Sequence, residues 1–268
     1  MPTAEAVEPQ TAKAEKPSRA AKKRYYVLDA VRGFAVVNMI FYHAVWDAVN
    51  VFDVNWEWFD SLGAHIWQQC ICCVFIFVSG FCFLFDKKPL KRGLCVFAAG
   101  AAVSVVTKIF MPDDIIIFGI LTLIGSCILF MAAFGRITVK INPLAGEVAC
   151  VLLFAVTKNV NDGFLGFGGL NFAPLPEFLY RNLFTAFFGF PPSDFYSTDY
   201  FSLVPWLFLY LAGHFAYLLL AKKERLGFLC PSVCKPLEII GRKSFLIYLA
   251  HQPAVYGLLY VFFSVVKK

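Results

Sequence analysis

Charge is what this chain of 268 residues has least of: Asp, Glu, Lys and Arg together make up 16% of it, against roughly 25% in an ordinary soluble domain. Apolar residues reach 59% and the mean hydropathy is +0.68. So few charges cannot cover the surface of a water-soluble globule, and those present cluster between long apolar runs. The chain therefore reads as all-α, a polytopic transmembrane helix bundle without a soluble domain of useful size. Other absences narrow it further. Met1–Arg24 holds no aromatic residue and no apolar stretch followed by a small-residue cleavage site, so it is a disordered basic cytoplasmic tail (residues 1–24), not a signal peptide. Residues 25–268 form a single transmembrane domain. No internal repeat is visible, which leaves inverted-repeat transporter symmetry without support. Cys70, Cys72 and Cys73 form a nominal C-x-x-C with no second Cys/His pair nearby. The nine cysteines thus read as small buried hydrophobes, and no metal is expected.

What is present is a series of apolar runs. Candidate spans cover residues 27–47, 62–85, 94–110, 115–134, 141–157, 200–221 and 244–266. The fifth is the weakest, because Lys140, Asn142, Pro143 and Glu147 interrupt its start. Residues 178–190 are a rival element, read as a re-entrant or interfacial helix within a long loop, 158–199, that is rich in Gly, Pro, Asn and aromatics. The net charge of +6 could suggest a nucleic-acid partner, but the placement of the cations says otherwise. With seven spans and the amino terminus in the cytoplasm, eighteen Lys and Arg fall on the inner side and five on the outer, with Arg32 inside a span. That is the bias of a membrane protein, whose partners are lipids rather than nucleic acid.

The first span carries an ionisable row. Asp29, Arg32, His43 and Asp47 lie in one apolar segment. On a helix Arg32 and His43 point within about 20° of each other, about 16 Å apart along the axis, and all four share an arc of roughly 120°. A charge near the bilayer centre costs on the order of 3 kcal/mol, so this row must face the bundle interior, where it marks a site. Asp47, four residues after His43, is spaced to orient the imidazole as a general base. His251 and Gln252 sit before Pro253 in the last span, and Asp199 and Tyr200 open the sixth at the outer face. His65 reads as interfacial, His214 as a helix contact, and Ser244 as the cap of the last helix.

The string RYYVLDAVRGFAVVNMIFYH (Arg24 to His43) resembles the opening motif of the membrane acyltransferases related to heparan-alpha-glucosaminide N-acetyltransferase, especially their short bacterial members. Its Arg-to-His spacing is also similar to that of acyltransferase family 3. FIFVSG (Phe75 to Gly80), FGILTLIG (Phe118 to Gly125), DYFSLVPW (Asp199 to Trp206) and GRKSFLIYLAHQP (Gly241 to Pro253) resemble further signatures of the family in the same order. Thr122 stands where that family has a His, and Ser202 where it has a Pro. The resemblance implies transfer of an acyl group, usually acetyl, from cytosolic acyl-CoA (acetyl-CoA) to a sugar, glycolipid or polysaccharide at the opposite face of a bacterial plasma membrane. On that reading His43 and Asp47 are catalytic. Arg32, Asp29, Arg242, Lys243 and His251 serve the CoA donor, and Asp199, Tyr200, Thr122 and Gln252 the acceptor. Pairing with a second copy of the chain is left open. So are two other readings: a proton-linked transporter using the same polar row, and a non-catalytic relative, to which Thr122 points.

Overall fold

The computed structural model describes residues 24–266. Apart from Arg24, the tail expected at residues 1–24 lies outside them. The first helix, α1 (Tyr26–Asn50), is followed by α2 (Leu62–Phe81), which Ser61 caps by accepting the Ala64 N–H. Next come α3 (Pro89–Phe110), opened by a proline at its first position, and α4 (Ile120–Thr138). α5 (Pro143–Val156) starts sharply, because the Asn142 side chain accepts two of its free N–H groups and Pro143 has none to satisfy. A two-stranded antiparallel hairpin follows, β1 (Phe164–Phe167) and β2 (Leu170–Pro174). The short α6 (Leu183–Phe188), α7 (Leu203–Lys222), α8 (Lys235–Arg242) and α9 (Ser244–Val266) complete the chain. Six of these helices, α1, α2, α3, α4, α7 and α9, are long and apolar enough to cross a membrane. α5, at 14 residues, is the short apolar helix expected of the fifth span.

The molecule is an all-α polytopic bundle, with the hairpin and the short α8 as unexpected elements. Its helices approach through small residues, the usual route to close packing where lipid removes a hydrophobic drive. A Cβ on Gly33 would overlap the Leu237 carbonyl, and one on Gly241 the Asp29 carbonyl, so α8 lies against α1 nearly backbone to backbone. Gly80 and Gly213 do the same between α2 and α7, meeting the Tyr210 and Phe77 carbonyls. Ile76, Leu123, Ile128, Met131, Trp206 and Tyr210 form the main core between α2, α4 and α7.

Two details of register shape the interior. Gly100 of α3 faces Thr122 of α4, and Gly93 faces Leu129, which sets the pair antiparallel. α3 runs on to Phe110 while α4 begins at Ile120, so α4 starts about 12 Å short of the end of α3. The loop before α7 follows it inward: Ile117 N–H donates to Ser197 Oγ, and Phe201 N–H to the Phe118 carbonyl. α9 runs beside α1 in the same direction, with His251 against His43 and Phe263 against Phe52. α9 begins at Ser244 itself, with the Lys243 carbonyl accepting the Ile247 N–H; Lys243, not Ser244, holds the cap position.

Candidate active site

A cleft of about 460 Å³ opens between α1, α2, α3, α4 and α9. Arg32, Lys88, Lys91 and Arg92 stand at one end of it with the single carboxylate Asp86, while Phe75, Val78, Ile124 and Phe245 make its walls apolar. Tyr248 of α9 also lines it. The result is a slot with a cationic mouth and a greasy throat, suited to a ligand that ends in phosphates and carries a long, weakly polar arm.

Arg32 is held at this mouth by Asp29, whose carboxylate is buried and gathers three arginines. Arg24 binds it at 2.8 Å, Arg32 at 3.0 Å and Arg242, more loosely, at 3.7 Å. Arg242 also reaches Glu238 at 3.5 Å. Glu238 is itself buried; hydrogen bonds from Ser232 Oγ and the Val233 N–H hold its carboxyl below the usual range. Asp29 and Arg242 therefore lock α1 to α8. Neither they nor Lys243 line the cleft; besides Arg32, its cations come from the α2–α3 turn and α3. Arg32 Nε is buried without a hydrogen-bond partner among the described residues, so this guanidinium keeps one donor for a ligand after Asp29 has taken another.

Past the throat the ring of Tyr248 meets His251, at 5.3 Å between centroids, and His251 meets His43 at 4.8 Å. His251 Nδ1 contacts the Tyr248 carbonyl, which can only accept, so the proton sits on Nδ1 and Nε2 carries the lone pair. That Nε2 is buried without a partner among the described residues. The structure thus sets a proton-accepting imidazole beside His43, a pairing across two helices that neither span shows alone.

Asp47 departs from its expected partner. It is fully buried, and its Oδ1 accepts Gln252 Nε2 at 2.7 Å instead of meeting the His43 ring. α9 wins because Gln252 brings a neutral donor to a carboxylate in an apolar surround, where an unmet acceptor costs about 1–3 kcal/mol. Asp47 Oδ2 and Gln252 Oε1 are both buried without a hydrogen-bond partner among the described residues.

Asp199 does not stand at the bundle's edge. Its carboxylate packs on Gly119 at the start of α4 and lies close enough to Tyr42, Cys72 and Tyr248 to act on them electrostatically. Burial pushes its carboxyl up to about 6, with the Ile120 N–H pulling the other way. Tyr200 spends its hydroxyl on the Ala186 carbonyl and pins α6 to the loop. Thr122 is buried in the α3–α4 contact against Gly100, outside the cleft lining. His214 bridges α7 and α4 through a 2.9 Å contact with Thr138, as a helix contact should, and His65 is exposed on α2. Cys72 and Cys73 pack on the main core. One site residue escaped the reading of the sequence. Tyr248 lies one helical turn before His251, a spacing that could have found it.

A family model described as heparan-alpha-glucosaminide N-acetyltransferase, catalytic, matches residues 24–253, most of the chain. No curated protein and no solved structure matches it.

Proposed function

The chain belongs to the heparan-alpha-glucosaminide N-acetyltransferase catalytic family, and we propose that it moves an acyl group, acetyl in the family's usual chemistry, from acyl-CoA at the basic end of the bundle to a glycan acceptor at the other. The observation that carries this is the cleft: four cations at one end and, past Tyr248, the His251–His43 pair. Lys88, Lys91 and Arg92 take the CoA phosphates. Arg32, with its spare Nε, takes a carbonyl of the pantetheine arm. The thioester is then presented toward the two imidazoles.

His43 or His251 Nε2 accepts the proton of the attacking hydroxyl or amine, and the acyl group passes to that oxygen or nitrogen as the thiolate departs. The same residue returns the proton to the thiolate, giving free CoA. Asp47 Oδ2 and Gln252 Oε1, about 22 Å along α1 from Arg32, accept hydrogen bonds from the acceptor sugar. Asp199, when ionised, holds a hydroxyl or ammonium group of that sugar. By the positive-inside bias the basic end is cytoplasmic, so donor and acceptor meet from opposite sides.

The test is turnover of radiolabelled acetyl-CoA by the purified full chain in lipid nanodiscs, with a mixture of amino sugars and glycolipids as acceptors. Transfer or slow hydrolysis is expected in the wild type, and its loss in His43→Ala with an unchanged unfolding profile. Undiminished turnover in that variant removes His43 from the chemistry. Release of labelled glycan by cells that carry the chain, absent from cells that lack it, identifies the acceptor.

A further inference from the structure

The hairpin holds three large apolar side chains in the open, the reverse of a soluble loop. Phe167 pairs with Leu170 across the turn, so their side chains share a face, and Phe172 is the extra residue of a β-bulge, between Asn171, which pairs with Gly166, and Ala173, which pairs with Leu165. All three are exposed, at 49%, 66% and 63%. Asn171, between Leu170 and Phe172, is exposed as well and pairs with Gly166. Its Oδ1 accepts Asn159 Nδ2 at 2.8 Å, and the same nitrogen donates to the Gly168 carbonyl. The Asn159 N–H also donates to the Gly166 carbonyl. These bonds fasten the hairpin to the turn that follows α5 and leave Phe167, Leu170 and Phe172 in the open.

The surroundings say what covers these side chains. α5 has 14 residues, about 21 Å of helix, against a hydrocarbon core of about 30 Å. Its side chains Leu144, Val148, Val151, Leu152 and Val156 are exposed, as lipid-facing residues of a span must be. The hairpin is attached where that helix stops short, through the Thr157–Gly166 bridge. Residues 163–176 contain no charged side chain. Further along the loop Phe178, Leu183 and Phe184 are also exposed, and the Arg181 guanidinium lies 5.8 Å from the centre of the Phe178 ring, a pairing common at headgroup level.

We propose that the hairpin is a membrane-interface anchor: Phe167, Leu170 and Phe172 dip into the leaflet at the end of the bundle opposite the basic clusters. Its depth is limited. β2 has an unpaired outer edge, which cannot sit in hydrocarbon, so the strands lie at the interface and only the three side chains pass below it. The occupant is lipid, because these side chains continue the apolar belt of α5. The inference does not depend on the transferase chemistry.

The experiment places the photoreactive residue p-benzoylphenylalanine at Phe172 of the full chain in phosphatidylcholine nanodiscs, with the same residue at the exposed Glu177 as a control. After irradiation, intact mass should show one phospholipid added at position 172, at least tenfold more than at 177. Spin-labelled lipids carrying the label near the headgroup should protect position 172 more than lipids labelled at the chain end. A crosslink to a second copy of the chain, to added glycan, or to nothing while the chain stays folded overturns the proposal. Because Phe172 is exposed, its replacement leaves packing intact, and the circular dichroism melting curve checks this independently.

Discussion

At the scale of single residues the site departs from what one helix can disclose. The spacing of His43 and Asp47 permits an imidazole–carboxylate bond, but the competitor sits 205 positions later in the chain, where Gln252 takes the carboxylate. Periodicity shows which residues share a face and not which neighbour reaches them first. The inward row of α1 was legible because burying charge is costly enough to dictate its direction; its bonding was not. Asp199 shows the same limit in depth, since a residue next to a span was placed at the surface and lies instead against the sunken start of α4. Its carboxyl is raised by burial to about 6, from an ordinary value of 3.8. The folded chain therefore binds a proton there that the unfolded chain has already lost between about pH 4 and 6. The associated stability is full below the lower value and gone above the upper one. Asp199→Asn removes the charge and keeps an oxygen for the Ile120 N–H. Its unfolding temperature should exceed that of the wild type at pH 7.5 and converge with it near pH 4, by differential scanning fluorimetry in detergent. If the carboxylate also holds the acceptor, the same variant loses turnover at pH 7.5, and a neutral-pH stability gain with a loss of activity is the paired result expected.

At the scale of elements the long spans were plain in the sequence, because a run of twenty apolar residues has few alternatives to a membrane helix. The two short elements were not. The eight residues of α8 are too few to show a period against the neighbouring turns, and Glu238 hides in it as a buried charge. The hairpin did leave a signal in Gly168–Gly169, a two-residue loop between apolar runs, with Gly168 at φ 56°. In a segment dense with glycine and aromatics that signal does not stand out from the long loop, 158–199, around it. The α1–α8 contact offers a sharp test, because both of its glycines meet backbone and not a side chain that could move aside. Gly33→Val should separate the helices and loosen the Asp29–Arg242 link, at a cost of about 1–3 kcal/mol or more. Gly257→Val, where a Cβ meets nothing, is the matched control and should cost little. Comparison of the two by thermal unfolding in nanodiscs checks this: equal melting temperatures would mean that α8 is not held against α1 in the membrane.

At the scale of the whole molecule the question is what the basic end is for. A bias of cations toward one side orients any membrane protein, and on sequence alone that explanation covers Lys87, Lys88, Lys91, Arg92, Arg136, Lys140, Lys222 and Lys223 equally. The structure divides them, because Lys88, Lys91 and Arg92 line the cleft with Arg32 and the others do not. Orientation depends on the total, whereas a phosphate site depends on position, so the two roles can be separated by substitution. Lys88→Gln, Lys91→Gln and Arg92→Gln together remove three charges from the cleft. Lys140→Gln, Lys222→Gln and Lys223→Gln remove three from the same end outside it. Each lost contact at this open mouth is worth about 0.5–1 kcal/mol, so the first set should raise KM for acyl-CoA by about tenfold to a hundredfold, with kcat changed far less. The second set should leave KM within about twofold. Raising the salt from 50 to 300 mM should weaken donor binding to the wild type and have little further effect on the first set, since the charges it screens are gone. Steady-state kinetics on both triple variants, with topology confirmed by protease protection of each, decides between the roles. Equal KM values in correctly inserted proteins would reduce the cleft's cations to orientation signals and leave the donor to bind elsewhere.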